Sequence, residues 1–291
     1  MRWQIVKEQR QMRTDNIKEL EILAQKSRQN VLRMIRANGS GHLGPAYSCI
    51  DIVTALYFHG MDIDPKNPKK ADRDIFLLSA GHKGMAQYAV LAEAGFFEKS
   101  ILDTFGQFQS PIPGHPDMHK LSGIEANTGS LGHGLNLACG IALAKKQDGL
   151  KSRVFVITGD GELAEGSNWE AAAVAAHYGL DNLVLFVDRN GLQISGQTKD
   201  VMSFEPVADH FEGFGWMTKE IVGNDMKEIV SAIDAVPFEK GKPNLVVANT
   251  VKGKGFSKAE NQVDYHYWKP STEDMALAEK ELAAKIAELE K

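Results

Sequence analysis

The chain has 291 residues, with 33 Lys+Arg against 38 Asp+Glu for a formal net charge of −5. Hydrophobic residues make up 43% and charged residues 24%, which excludes a wholly disordered chain, and the acidic balance argues against a nucleic-acid partner. Two cysteines, Cys49 and Cys139, are too few for a disulfide framework or a four-cysteine zinc site and read as buried free thiols. No apolar run reaches the roughly 18 residues of a membrane span, and residues 1–16 lack the apolar stretch of a secretory signal, so a cytoplasmic protein is the default expectation.

The first helix is expected to begin near Asp15 and Asn16, to carry Ile17, Leu20, Leu23, Ala24, Val31 and Ile35 at helical spacing, and to stop at Asn38-Gly39. A second apolar helix is expected over 49–58, closed by His59-Gly60, and the charged, proline-containing stretch 62–72 reads as a surface loop. Five short apolar runs read as strands: 74–79, 153–158, 183–188, 216–222 and 244–250. They are continuous rather than alternating, the pattern of strands covered on both faces. Helical stretches separate them, among them 135–144, 167–177 with Ser167 as N-cap, and 225–236. Strands alternating with helices give right-handed βαβ units. The expected fold class is therefore α/β, a doubly wound, mostly parallel sheet with helices on both faces. This body is expected over residues 1–270. An amphipathic helix over 271–291 follows, with Ser271 and Asp274 as its cap and Leu282, Ile286 and Leu289 as its stripe, packed on the domain or on a partner.

In such sheets ligands sit beyond the carboxyl ends of the strands. Gly159-Asp160-Gly161-Glu162 follows one expected strand and Arg189-Asn190-Gly191-Leu192 the next, with one helix between. Adjacent parallel strands would bring the Asp160 carboxylate close to the Asn190 amide oxygen. Hard oxygens of this kind suit Mg²⁺ or Ca²⁺, and Mg²⁺ is commonly shared with a substrate phosphate. Plain turns are the competing reading of each motif alone.

The nine histidines give a separate signal. Four follow a glycine, namely His42, His82, His115 and His133, where this composition predicts about one such pair by chance. A shared polar site that donates to phosphate and sugar oxygens is the reading favoured for the group. His115 and His119 lie among prolines, not on one helix face, and no HExxH is present, so a zinc site is not expected. The loop 128–134 is glycine-rich without the GxGxxG spacing and reads as a turn or a backbone cradle. Lys252-Gly253-Lys254-Gly255 reads as a solvated loop or a basic lip over a diphosphate.

Taken together these residues resemble the diphosphate-binding, N-terminal part of transketolase, a thiamine diphosphate enzyme, from about Ile17 to His266. The cofactor fingerprint runs from Gly159 to Asn190 as GDGELAEGSNWEAAAVAAHYGLDNLVLFVDRN, with GSGHLGPAYS, LLSAGHKG, GHPDMHK, NTGSLGHG and NTVKGKGFS around it in order. The resemblance implies that Asp160, Asn190 and the Leu192 carbonyl hold Mg²⁺, or else Ca²⁺ or Mn²⁺, on the diphosphate of thiamine diphosphate. Gly161 would face that diphosphate, and His82 with the backbone of Gly129, Ser130 and Leu131 would contact the cofactor. His42, His115 and His266 would line the sugar-phosphate channel, His266 touching the diphosphate as well. Glu165 would be the family's buried interface glutamate near the cofactor.

The resemblance further implies transfer of a two-carbon ketol unit from a ketose phosphate to an aldose phosphate. The glutamate that activates the aminopyrimidine lies in a pyrimidine-binding domain that this sequence does not contain. A C-terminal partner subunit carrying it is expected, in an assembly of two of each chain. Departures are His133 for a usual glutamine, Leu43 for a usual proline, and Tyr265-His266-Tyr267-Trp268 for the usual His-Gly, which suggest a specialised ketose phosphate. The competing expectations are a subunit of another thiamine diphosphate enzyme, such as a deoxyxylulose-phosphate-synthase-like protein, or a non-catalytic cofactor-binding assembly subunit.

Overall fold

Asn16 starts the first helix, α1 (Ile17–Asn38), by accepting a hydrogen bond from the Glu19 amide on its side chain. The computed structural model describes residues 13–291, so the reading of the N-terminal stretch as no signal falls largely outside the described residues. Helix α2 (Leu43–Ala55) runs on into a π-helical turn, Leu56–Gly60. It begins ahead of the expected 49 because Pro45 falls in its first turn, where a missing N–H costs no helical hydrogen bond. The helices that follow are α3 (Gly84–Glu93), α4 (Gly134–Gln147), α5 (Gly166–His177), α6 (Thr198–Val201), α7 (Val207–Gly213), α8 (Met226–Asp234) and α9 (Thr272–Leu289). Ser167 does not cap α5: the helix starts at Gly166 from Glu165, and the Ser167 hydroxyl donates to the Gly132 carbonyl at 2.7 Å.

The strands are β1 (Ile75–Leu78), β2 (Val154–Gly159), β3 (Leu183–Arg189), β4 (Leu192–Gln193), β5 (Gly196–Gln197), β6 (Met217–Val222) and β7 (Asn244–Asn249). Five of them form one parallel sheet in the order β1-β2-β3-β7-β6. The sequence did not foresee the short β4–β5 hairpin. Alternate residues serve opposite faces. Phe76, Phe155, Ile157, Val184, Phe186 and Val246 pack with α1, α2, α3 and α8. Ile75, Val154, Val156, Leu185, Val187 and Leu245 pack with α4, α5 and α7. Burying each large side chain contributes about 1.5–3 kcal/mol. Strand β6 departs from the fully covered pattern, with Glu220 and Val222 exposed, as suits the edge of the sheet.

The last helix, α9, is capped by the Ser271 hydroxyl, which accepts from the Asp274 amide. Its buried face is Met275, Ala278 and Leu282, which join the core on the α1 side, while Ile286 and Leu289 stay half-buried. Arg36 of α1 pairs with Glu279. The expected stripe is therefore centred one to two turns too far along the helix.

Candidate functional site

The parallel pairing of β2 with β3 sets Gly159 beside Asp188 and delivers the two turns that follow to one place. The Asp160 carboxylate laces these turns together. Its Oδ1 accepts from the Gly161 amide at 2.8 Å, and its Oδ2 accepts from the Gly191 amide at 2.7 Å and from the Thr198 hydroxyl at 3.3 Å. Asn190 is oriented by its neighbours: its amide donates to Asp188 Oδ2 at 3.3 Å, and its Oδ1 accepts from the Leu192 amide at 3.1 Å. Both side chains, Gly161 and Leu192 line one cavity of about 300 Å³ with His42, His82, Lys83, Leu131, Gln193, Lys252 and His266.

Histidines gather on the rest of the wall. The His42 ring lies 5.5 Å from His82 and 5.5 Å from His266, and His82 stacks on His266 at 5.4 Å. Burial, with His115 and Lys252 near, pulls His42 down to about 4. Burial, with Lys83 and His266, pulls His82 down to about 2, and burial with Lys252 pulls His266 down to about 3. All three are thus neutral imidazoles near pH 7, able to donate from one nitrogen and accept at the other. His115 is exposed, and a Cβ added at Gly129, whose φ is 144°, would come to 2.9 Å from His115 Cδ2, so the turn there favours glycine. Gly81 is a second close approach: a Cβ there would meet the Thr128 carbonyl at 2.6 Å, so the His82 turn is packed on the 128–131 loop.

Two expected members stand apart. His133 is exposed on a separate hollow with Asn127, Ser130 and Asn136, its Nδ1 at 3.1 Å from the Leu131 carbonyl oxygen. It does not join the other glycine-linked histidines. Glu165 is exposed rather than buried, so this chain alone does not provide the enclosed setting expected of it. Ser130 is exposed as well, while Leu131 reaches the cavity.

Several residues that hold the site escaped the sequence reading. Lys83, 2% exposed, pairs with Asp188, 0% exposed, directly beneath Asn190. Asp188 also accepts from the hydroxyls of Ser48, at 2.5 Å, and Thr250. Burial works against the Lys83 charge, yet Asp188 holds its pKa above the ordinary lysine value. Glu162 accepts from the Ser79 hydroxyl at 2.5 Å, the Gly132 amide at 2.9 Å and the Gly159 amide at 3.1 Å, tying three loops together. Burial raises its pKa. A charged residue ending an apolar strand, as Asp188 does, is the signal that could have found this support.

The donor set fits a metal-bound diphosphate. A carboxylate, an amide oxygen and a peptide carbonyl are hard oxygens that suit Mg²⁺ or Ca²⁺. Burial raises the Asp160 pKa, and Asp188 pushes the same way, so a nearby cation would relieve it. Lys252 already places a cation there: its Nζ donates to the Leu192 carbonyl at 2.9 Å and lies 2.9 Å from His266 Nδ1. Burial, with Lys83, lowers Lys252 to about 8. The buried Gln193 Nε2, on the same wall, has no partner among the described residues and offers a donor to an anion.

The family profile described as "Transketolase, thiamine diphosphate binding domain" matches residues 20–288. This chain belongs to the transketolase family. An apulose-4-phosphate transketolase subunit of Actinobacillus succinogenes is 43% identical, covering 91% of this chain and 96% of that protein. The 6-deoxy-6-sulfo-D-fructose transketolase subunit SqwG of Clostridium sp. (strain MSTE9) is 41% identical, covering 94% and 97%. The crystal structure of transketolase from Campylobacter jejuni superposes with a TM-score of 0.86 at 31% identity, covering 92% of this chain and 43% of that one. The chain thus spans less than half the length of that solved transketolase. It corresponds to the thiamine diphosphate-binding part of a transketolase, the part that the relatives named as transketolase subunits also span.

Proposed function

We propose that this transketolase chain binds thiamine diphosphate through Mg²⁺, with Ca²⁺ or Mn²⁺ as substitutes, and moves a two-carbon ketol unit between sugar phosphates only when joined to a C-terminal partner subunit. The observation that carries the reading is the meeting of Asp160, Asn190 and the Leu192 carbonyl at one end of a cavity walled by His42, His82 and His266. Asp160, Asn190 and Leu192 would hold the metal, Gly161, Gln193 and Lys252 would meet the diphosphate, and His82 with the Gly129–Leu131 backbone would contact the cofactor. Bound there, thiamine diphosphate would supply the carbanion and electron-sink chemistry that ketol transfer needs.

The chain's own residues bind, orient and move protons. His82 and His266 present neutral imidazoles toward the reacting end. His42 and His115 would hold sugar hydroxyls and pass a proton to or from the donor and acceptor oxygens, a task for which a neutral imidazole is suited. Lys252 supplies positive charge to the anionic tail. The partner would supply the pyrimidine-binding domain and its activating glutamate. Leu137 on α4, Val174 on α5 and Tyr178 just past its end are exposed, at 45%, 43% and 50%, and would offer that partner or a second copy apolar contacts. The same contacts would serve an assembly of two of each chain, in which Glu165 becomes enclosed. Burial pushes Cys49 and Cys139 up to about 12, which suits inert thiols in a cytoplasmic setting.

Co-expression with a candidate partner, followed by a ketol-transfer assay on a panel of ketose phosphates, tests the proposal. Activity is expected from the complex and not from the chain alone. Turnover by the isolated chain would overturn the two-chain reading, and a complex without a thiamine diphosphate-dependent thermal shift would overturn the cofactor assignment.

A further inference from the structure

A tyrosine at the rim of the cavity has no part in the reaction as described so far. Tyr267 follows His266 in a segment that cannot swing away. The Gly41 amide donates to the Trp268 carbonyl at 2.9 Å, and the Trp268 amide donates to the Gly41 carbonyl at 2.8 Å. This two-bond bridge clamps residues 266–268 against the turn that carries His42. Trp268, 5% exposed, anchors the clamp, its ring 5.5 Å from Phe256 and 5.8 Å from Tyr265. Tyr267 itself stays 50% exposed. Its ring meets His42 edge-on at 4.8 Å, and its hydroxyl lies 2.9 Å from the Ser40 hydroxyl. His42 lines the cavity, and Tyr267, absent from that lining, packs beside His42 with half its surface open to solvent.

We propose that Tyr267 is a specificity-determining residue that contacts the sugar at the end remote from the reacting carbon and limits how long an acceptor the channel takes. This rests on the ketol-transfer reading above. A rigid ring offers a flat face to sugar C–H groups and a hydroxyl to sugar oxygens, at little entropic cost because the backbone is already fixed. The Tyr267–Ser40 pair is neutral, so it offers hydrogen bonds to a sugar hydroxyl or a phosphate oxygen without neutralising charge. The ring takes up space that a longer chain would need, so short acceptors are favoured over extended ones.

The test uses the complex with its partner chain, loaded with thiamine diphosphate and Mg²⁺. Glyceraldehyde 3-phosphate serves as the three-carbon acceptor and ribose 5-phosphate as the five-carbon one. Tyr267→Gly is expected to raise the five- over three-carbon ratio of kcat/KM about 10-fold, the discrimination a pocket of altered size typically gives. Tyr267→Phe is expected to raise KM for the shorter acceptor about 3- to 10-fold, the worth of one hydrogen bond, with the loss falling mainly in KM. Isothermal titration should return a cofactor Kd within about twofold of wild type for both variants, since Tyr267 is absent from the cavity lining. Ratio and KM both unmoved within twofold, with cofactor binding intact, overturn the proposal. Should Tyr267→Gly not fold, the KM shift of Tyr267→Phe decides alone. A wild-type complex inert toward every acceptor rejects the underlying functional reading instead.

Discussion

The buried Lys83–Asp188 pair makes an incisive test because its two halves fail in different ways. Asp188→Asn removes the paired anion and leaves an ammonium that is 2% exposed with only the weaker influence of the Asp160 carboxylate. Breaking a buried pair in this way costs about 3–5 kcal/mol. Lys83→Met leaves the Asp188 carboxylate with three donors, the hydroxyls of Ser48 and Thr250 and the Asn190 amide, so a smaller cost of about 2–3 kcal/mol is expected. The pH dependence separates the two further. In Asp188→Asn the folded-state pKa of Lys83 falls below its unfolded value, so the penalty is complete at low pH and shrinks as pH rises through the lowered value. Lys83→Met leaves no buried ammonium there, so its stability should not recover in that way as pH rises. Urea denaturation from pH 5 to pH 9 measures both slopes. The double variant Lys83→Met/Asp188→Asn, which removes both charges and keeps a polar side chain at 188, should lose less than the sum of the two single losses. The same recovery with rising pH in both single variants, or a double variant as unstable as the sum of the singles, would refute this account.

Other expectations follow from the same site. Asp160→Ala should abolish the Mg²⁺-dependent thermal shift with thiamine diphosphate, about 2.7 kcal/mol at a hundredfold excess over Kd, and a retained shift would remove Asp160 from the metal site. Acid should destabilise the cofactor-free chain. His42, His82 and His266 are held below their unfolded value near 6.5, so the unfolded state binds more protons as pH falls from 6.5 toward about 4. About 2–4 kcal/mol should be lost between pH 7 and pH 5 after allowing for their partial exposure. Replacing His42 and His266 by Asn should flatten that slope in denaturation titrations, and an unchanged slope would place the proton uptake elsewhere. Gly81→Ala drives a Cβ to 2.6 Å from the Thr128 carbonyl, so it should cost about 1–3 kcal/mol and weaken cofactor binding through the displaced Gly129 turn. Calorimetry showing wild-type stability and affinity would mean that the 128–131 loop is free to shift.

Much of this arrangement was legible in the sequence because sheet and site share one cause. Continuous apolar runs gave the central strands, and the turns after two of them carried Asp160 and Asn190. The helix ends at Asn16, Gly39 and Ser271 were legible from capping chemistry. What was missed is non-local. Glu162 stands near the start of the fingerprint, yet its purpose is set by Ser79 and Gly132, whose approach depends on tertiary packing. Lys83 reads as one more lysine until β3 brings Asp188 beneath it. The Gly-His pairs were a compositional signal, and composition could not separate His133, which faces a different hollow, from His42 and His82. Ser167 looked like a cap because its side chain suits one, and the Gly132 carbonyl claimed it instead.

The side-by-side register of β2 and β3 also bears on how freely such sequences drift. The span between the turns that carry Asp160 and Asn190 is set by strand spacing, about 4.8 Å, and not by the connecting segment. Helix α5 must only cover the sheet and return the chain on the correct hand. Its surface letters can vary, and even its length can change by a turn, without the ends of the pincer separating. The two ends have no such slack, because Asp160 is held by the Gly161 and Gly191 amides and Asn190 by Asp188 and the Leu192 amide.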